Sequence, residues 1–379
     1  MNDAAAEEHH AIHRRKTASD RPGVAQPVPK RPVPEQPWNR IFVGMLMLLA
    51  LMLGAWEWYW RDFGATPGIR NTHGLWAIQR RRIDAGAGDA TVIVGSSRVF
   101  FDIQLDVWEQ LDGKRPIQLA FEGTTPLPFV EDLAADPKFT GRLLIGVAPE
   151  LFFSGHGRYH IGALKYWRDE SPSQRVGQWL SMHLVEPFVA FYDPDYTLAA
   201  VLKRQPWPDR PGKPAQLDVR KLSVTAADRD THMWSKVEND PVYRALMRKV
   251  WEQDFKPSED DPKPEELAKM RDEQIERMVK AVATLRARGV KVLFVRAPST
   301  GPYLEFDNHL FPRATSWDVL LAKTGAPGIH FEDYPELQGL DQPEWSHLSH
   351  ADAKKFTASL HAIIVRGFWK PDPPSNIAR

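Results

Sequence analysis

The pattern of apolar and polar positions divides the chain into four stretches. Residues 1–38 carry few large apolar side chains, and prolines recur between Pro27 and Pro37. Such a stretch has no face to bury and predicts a disordered tail. Residues 41–60 are then free of charge apart from Glu57. About 20 such residues, wound as a helix, rise about 30 Å, the thickness of a bilayer core. Trp56, Trp58, Tyr59 and Trp60 crowd one end, where an aromatic belt sits at a membrane interface. A single uncleaved transmembrane helix over 39–61 is expected, since no small-x-small cleavage site follows Leu53. Arg21, Lys30, Arg31 and Arg40 precede it, against Arg61 and Arg70 close behind. That bias predicts an N-terminus inside the cytoplasmic (inner) membrane and a globular part outside it.

From residue 62 onward the pattern alternates between short β-branched runs and helical periodicity, as in a parallel sheet flanked by helices. Strands are expected at 91–94, 116–121, 142–147, 290–295 and 329–331. Helices are expected at 105–111, 128–135, 264–288 and 350–366. The helix over 264–288 has proline first, acids early, basics late and Gly289 as its stop. The last helix has Ser349 as N-cap and Asp352 placed to reach back to it. Residues 151–262, rich in tryptophan and proline, break the rhythm. They are read as an insertion that shapes a cleft, between the two parts of one α/β domain, 62–150 and 263–370. Residues 371–379 are a loose tail. The expected fold class is a three-layer α/β/α arrangement of about five parallel strands in the order 2-1-3-4-5.

Composition narrows the function. The 379 residues balance 49 basic against 49 acidic side chains, which argues against a nucleic-acid partner. With no cysteine, disulfides, thiolate metal sites and cysteine nucleophiles are excluded. His9, His10 and His13 lie in the tail without matching ligands, and Arg80-Arg81-Arg82 reads as a solvated helix face. No metal or cofactor is expected.

Three places carry candidate chemistry. Gly95-Ser96-Ser97-Arg98 directly follows the first strand, where an open α/β sheet presents side chains to ligand. Glu344-Trp345-Ser346-His347 precedes the last helix. A carboxylate three residues ahead of a histidine can hold the Nδ1 proton and leave Nε2 free to take one from a serine. Gly123, after the second strand, permits its N–H to approach an oxyanion.

In this order the motifs resemble the SGNH (GDSL-like) hydrolase and acyltransferase superfamily. They are most similar to its GSS-containing branch, with the lipoteichoic-acid D-alanylation protein and the alginate O-acetylation proteins. The resemblance covers about 91–147 and 290–366. It implies Ser97 as nucleophile, His347 as base, Glu344 in the usual aspartate position (with Asp341 as an alternative acid), and the N–H groups of Ser97 and Gly123 as oxyanion donors. It also implies ester chemistry on an acylated envelope polysaccharide or glycolipid, with a membrane-bound O-acyltransferase as a possible partner. One departure stands out. The third block, which supplies an asparagine to the oxyanion hole in the family, reads Gly146-Val147-Ala148-Pro149-Glu150. Arg98 and Arg296 are the candidate substitutes or substrate contacts. The competing expectation is a lapsed SGNH-like domain that binds glycan or scaffolds an envelope assembly.

Overall fold

The computed structural model describes residues 36–156, 160–205, 217–256 and 262–369. Of the tail expected at 1–38, residues 1–35, with His9, His10 and His13, lie outside the described residues, as does the tail at 371–379. Two compact units divide the chain, Met1–Ala55 and Trp56–Arg379. Most of helix α1 (Trp38–Phe63) falls in the first, and this helix is long and apolar enough to cross a membrane.

The second unit is built on a five-stranded, all-parallel sheet. Its strands are β1 (Thr91–Val94), β2 (Ile117–Gln118), β3 (Arg142–Gly146), β6 (Lys291–Arg296) and β7 (Gly328–His330), in the order β2-β1-β3-β6-β7. That is the expected 2-1-3-4-5 order. Between β3 and β6, β4 (Ser223–Thr225) and β5 (Thr231–Met233) form a separate antiparallel pair. Among the described residues nothing from 151–262 joins the parallel sheet.

Side chains alternate along each strand, so both faces are buried. Ile93, Leu144, Leu293 and Ile329 point into one core with Phe100, Trp108, Phe356 and Leu360. These last four come from α3 (Ser97–Asp102), α4 (Leu105–Asp112) and, for the final two, α15 (His350–Gly367). Val92, Val94, Leu143, Ile145 and Phe294 point the other way. They meet Phe129 and Leu133 of α5 (Leu127–Ala135), with Met278 and Val282 of α12 (Pro264–Ala287). The remaining helices, in chain order, are α2 (His73–Asp84), α6 (Pro149–Ser154), α7 (Gly162–Asp169), α8 (Pro172–Leu180), α9 (Leu198–Lys203), α10 (Ser235–Asn239), α11 (Pro241–Asp254), α13 (Gly301–Leu310) and α14 (Trp317–Thr324).

Three local expectations are corrected. The second strand is shorter than 116–121, although the Leu119 and Phe121 amides still donate to Ile93 O (2.8 Å) and Gly95 O (3.0 Å). On its outer side, the buried Arg229 guanidinium donates to Gln118 O (2.8 Å) and Ala120 O (2.7 Å), taking the place of another strand. The Ser349 side chain makes no capping bond. Asp352 instead accepts from the Asp341 amide at 2.7 Å, because the preceding loop folds back over the first turn of α15. The arginines at 80–82 do not share a solvated face, since successive helical residues are about 100° apart. Arg80 is buried, donating to Asp132 (3.0 Å) and Asp136 (2.7 Å) with its guanidinium over Trp167. Arg81 pairs with Glu170.

The ends of β1 and β3 approach closely. A Cβ at Gly95 would lie 2.3 Å from Val99 Cγ2 and 3.0 Å from the Gly146 Cα, and one at Gly146 would lie 2.4 Å from Val99 Cγ2. Both glycines therefore make room for α3 against the sheet. Gly146→Ala is expected to destabilise the fold by about 1–3 kcal/mol, the range of core overpacking. Thermal or denaturant unfolding of the detergent-solubilised chain measures this, and an unchanged midpoint would contradict the packing.

Candidate active site

β1 has β2 on one side and β3 on the other, so the chain leaves it towards opposite edges of the sheet. Ligand crevices in open α/β sheets lie beyond the strand C-termini at such a point. Gly95 and the buried Ser96 cross this edge, and α3 starts at the partly exposed Ser97. Gly123 has φ 61° in the turn after β2. It sits two residues beyond Phe121, whose amide bonds to Gly95 O. The two candidate oxyanion donors thus follow neighbouring strands.

The segment before α15 forms the second half. Glu344 is wholly buried, and its Oε1 accepts both the His347 amide (2.8 Å) and the Nδ1 proton of the His347 ring (2.7 Å). Its Oε2 accepts the indole N–H of Trp251 from α11. The tight turn places Trp345 at φ 74°, a left-handed conformation that side chains other than glycine seldom adopt. Thr300 donates its amide to Trp345 O at 2.9 Å, and the Arg248 guanidinium lies 5.0 Å from the centroid of its ring. Asp341, the other acid weighed for this role, contributes backbone contacts: its carbonyl accepts the Ser349 amide at 2.9 Å. With Nδ1 committed to Glu344, the imidazole is fixed with Nε2 as its free nitrogen. Nε2 is buried without a hydrogen-bond partner.

Helix α3 lies directly against this segment. The Phe101 ring, one turn beyond Ser97, is 4.5 Å from the His347 ring centroid to centroid. Arg98 Nε donates to Ser346 Oγ at 3.4 Å, and the Leu348 amide donates to Asp102 Oδ1 at 3.0 Å. Burial pushes the Asp102 carboxyl well above the usual carboxylate range. Residues 98, 101 and 102 therefore each contact the stretch 346–348, about 250 positions away in the chain. A direct hydrogen bond from Ser97 Oγ to His347 Nε2 is not formed. His347 itself is 2 % exposed, covered by Phe101 and by Trp251, whose ring centroid is 6.5 Å away.

Beside this pair is a buried charged cluster. Arg98 and Arg296 both reach Asp307 Oδ2, at 2.7 and 2.9 Å. Arg296 also donates to Ala297 O and Ser299 Oγ, so its donors are turned into the protein. Burial disfavours the charge on Arg98, but Asp307 outweighs it and holds the guanidinium above its ordinary value. The Tyr303 ring lies under Arg98, 4.8 Å from the guanidinium carbon, and its hydroxyl donates to Glu150 Oε2 at 3.3 Å. Glu150 follows β3 where the asparagine was missed. Burial, then the charges of Asp307 and Asp254, push its carboxyl up to about 7. Sequence reasoning passed over Glu150, Tyr303, Asp307 and Trp251. Only the place of Glu150, at a strand C-terminus, was a signal available beforehand. Among the described residues, no group of three or more His, Asp or Glu side chains is arranged to hold a metal ion.

No protein-family model, curated protein or solved structure matches the chain.

Because the folded chain holds the Glu150 proton more tightly than the unfolded one does, this group stabilises the fold fully below about pH 4.5, and that contribution is lost as pH rises through about 7. Glu150→Gln is therefore expected to raise the melting temperature by about 2–4 °C at pH 8.5 and leave it unchanged at pH 4.5. Equal shifts at both pH values would contradict a partly buried, proton-holding carboxyl.

Proposed function

We propose that the protein is a membrane-anchored serine esterase or O-acyltransferase of the SGNH type, acting outside the cytoplasmic membrane on acylated envelope polysaccharide or glycolipid. The observation that carries this reading is the buried Glu344–His347 pair, with Nε2 unpartnered and the imidazole ring packed on Phe101 of the helix that begins with Ser97. On this reading Ser97 Oγ attacks the acyl carbonyl and gives its proton to His347 Nε2, while Glu344 holds the Nδ1 proton and stabilises the imidazolium. The N–H groups of Ser97 and Gly123 receive the oxyanion. The protonated imidazole then donates to the departing alcohol oxygen, leaving an acyl-serine. A water molecule or a sugar hydroxyl, deprotonated by His347, attacks that ester and releases Ser97. A hydroxyl acceptor makes the enzyme a transferase, and a membrane-bound O-acyltransferase is then the natural source of acyl groups. The reading takes 62–150 and 263–370 as a three-layer α/β/α domain, with 151–262 inserted to shape the cleft. The place of Trp251 over Glu344 supports that role.

Burial of His347 and the missing third-block asparagine favour a second reading, a lapsed domain that binds glycan. Turnover of a soluble aryl acetate by the full-length protein separates the two. Ser97→Ala and His347→Ala are each expected to lower turnover by about 10³-fold or more, and Asp341→Ala to leave it within about twofold. Turnover unaffected by Ser97→Ala would overturn the esterase mechanism. Absence of turnover in the parent, with glycan binding intact, would support the lapsed domain.

A further inference from the structure

A soluble helix normally turns its apolar stripe inward and its polar residues to water. The stretch 172–188, comprising α8 and the turns that continue it, does the reverse. Val176, Leu180, Leu184 and Phe188 recur every four residues and so share one face, with Trp179 beside them. All five are exposed, Leu184 by 61 % and Phe188 by 64 %. The inward face is held largely by polar contacts. Gln178 Oε1 accepts from Thr72 Oγ1 at 2.8 Å, and Glu186 accepts from the Arg70 amide (2.9 Å) and Ser181 Oγ (2.7 Å). Met182 alone gives it a buried apolar side chain. Along 172–202, Arg175 is the one exposed Asp, Glu, Lys or Arg. An apolar face this continuous marks a surface that meets another phase or molecule.

What covers it is indicated by where it is fastened. Residues 188–196 are clamped to the last turns of α1, directly after its apolar run. Glu57 accepts the amides of Ala190 (2.9 Å) and Phe191 (3.1 Å), and Arg61 donates to Phe188 O at 3.0 Å. Trp56 Nε1 donates to Tyr196 O at 3.2 Å, while Trp60 stacks on the Tyr196 ring with centroids 4.6 Å apart. Trp58 and Tyr59, in the same turns, remain exposed. Where a chain leaves the hydrocarbon, aromatic side chains sit at headgroup depth, and an amphipathic helix tethered there meets the acyl–headgroup boundary.

We propose that the face formed by Val176, Trp179, Leu180, Leu184 and Phe188 lies in the outer part of a phospholipid leaflet as a second, interfacial contact with the membrane. The proposal rests on α1 being a membrane anchor. It makes the anchored unit lie against the bilayer instead of swinging on a single tether. A substrate carried on a lipid or held close to the leaflet would then meet a site at fixed height.

The chain has no cysteine, so single thiols can be introduced cleanly. The full-length protein would carry Leu180→Cys, Leu184→Cys or Phe188→Cys, labelled with a polarity-sensitive fluorophore. Val242→Cys and Leu111→Cys are exposed controls elsewhere, and Leu48→Cys reports on the anchor. The purified variants are reconstituted in vesicles of phosphatidylethanolamine and phosphatidylglycerol, then quenched with lipid-borne nitroxide or aqueous iodide. Labels at 180, 184 and 188 are expected to be quenched by nitroxide several-fold more than those at 242 and 111, and to resist iodide. If they behave like position 242 while position 48 is reached by nitroxide, the interfacial contact is overturned and the anchor stands. If position 48 is reached by iodide instead, the anchor reading falls and the interfacial contact with it. Shielding of 180, 184 and 188 from both quenchers would indicate a protein-covered face and overturn the proposal.

Discussion

The Asp102 carboxyl group is entirely buried, and its Oδ1 accepts the Leu348 amide at 3.0 Å, so the end of α3 is held to the residue directly after His347. Thr357, two turns into α15, reinforces the join: its hydroxyl donates to Asp102 O at 3.1 Å and accepts the Gln104 amide at 2.9 Å. Without such bonds these buried polar groups would each cost about 1–3 kcal/mol. The packing of α3 on the 346–348 segment depends on this join. It sets Phe101 against the imidazole and Arg98 against Ser346.

Charge is handled differently on the two sides of that join. Glu344 receives three N–H donors, from the His347 amide, the His347 ring and Trp251. That is a solvation shell suited to a buried carboxylate. On the other side, Arg98 and Arg296 share one oxygen of Asp307, leaving Glu150 among neighbours that favour its neutral form. A carboxyl that holds its proton up to about pH 7, bonded by the Tyr303 phenol, thus follows β3 where the resemblance calls for an asparagine. Trp251 touches both sides, bonding to Glu344 and packing 5.9 Å from the Tyr303 ring, centroid to centroid.

The parallel sheet was legible because its strands are short β-branched runs buried on both faces, each followed by a clear helical period or a turn glycine. The site pair at 344 and 347 was legible because an i, i+3 spacing in a short loop is a local property. What stayed hidden was long-range. Nothing in the text of the chain ties Trp251 to Glu344 across 93 positions, or Asp102 to Leu348 across 246. The inward turn of Arg80 depends on Asp132 of α5 and on Asp136 just beyond its end. The outward apolar face of 172–188 was seen only as tryptophan-rich and proline-rich sequence, because an inverted helix has the same periodicity as an ordinary one.

If Ser97 and His347 act as one unit, the serine is open to covalent trapping. The full-length protein would be treated with a fluorophosphonate, which phosphonylates a serine only where a base activates it, and the adduct located by peptide mass spectrometry. Stoichiometric modification is expected at Ser97 in the parent and none in His347→Ala. A parent that stays unmodified, or labelling of Ser97 that persists without His347, would contradict that joint action.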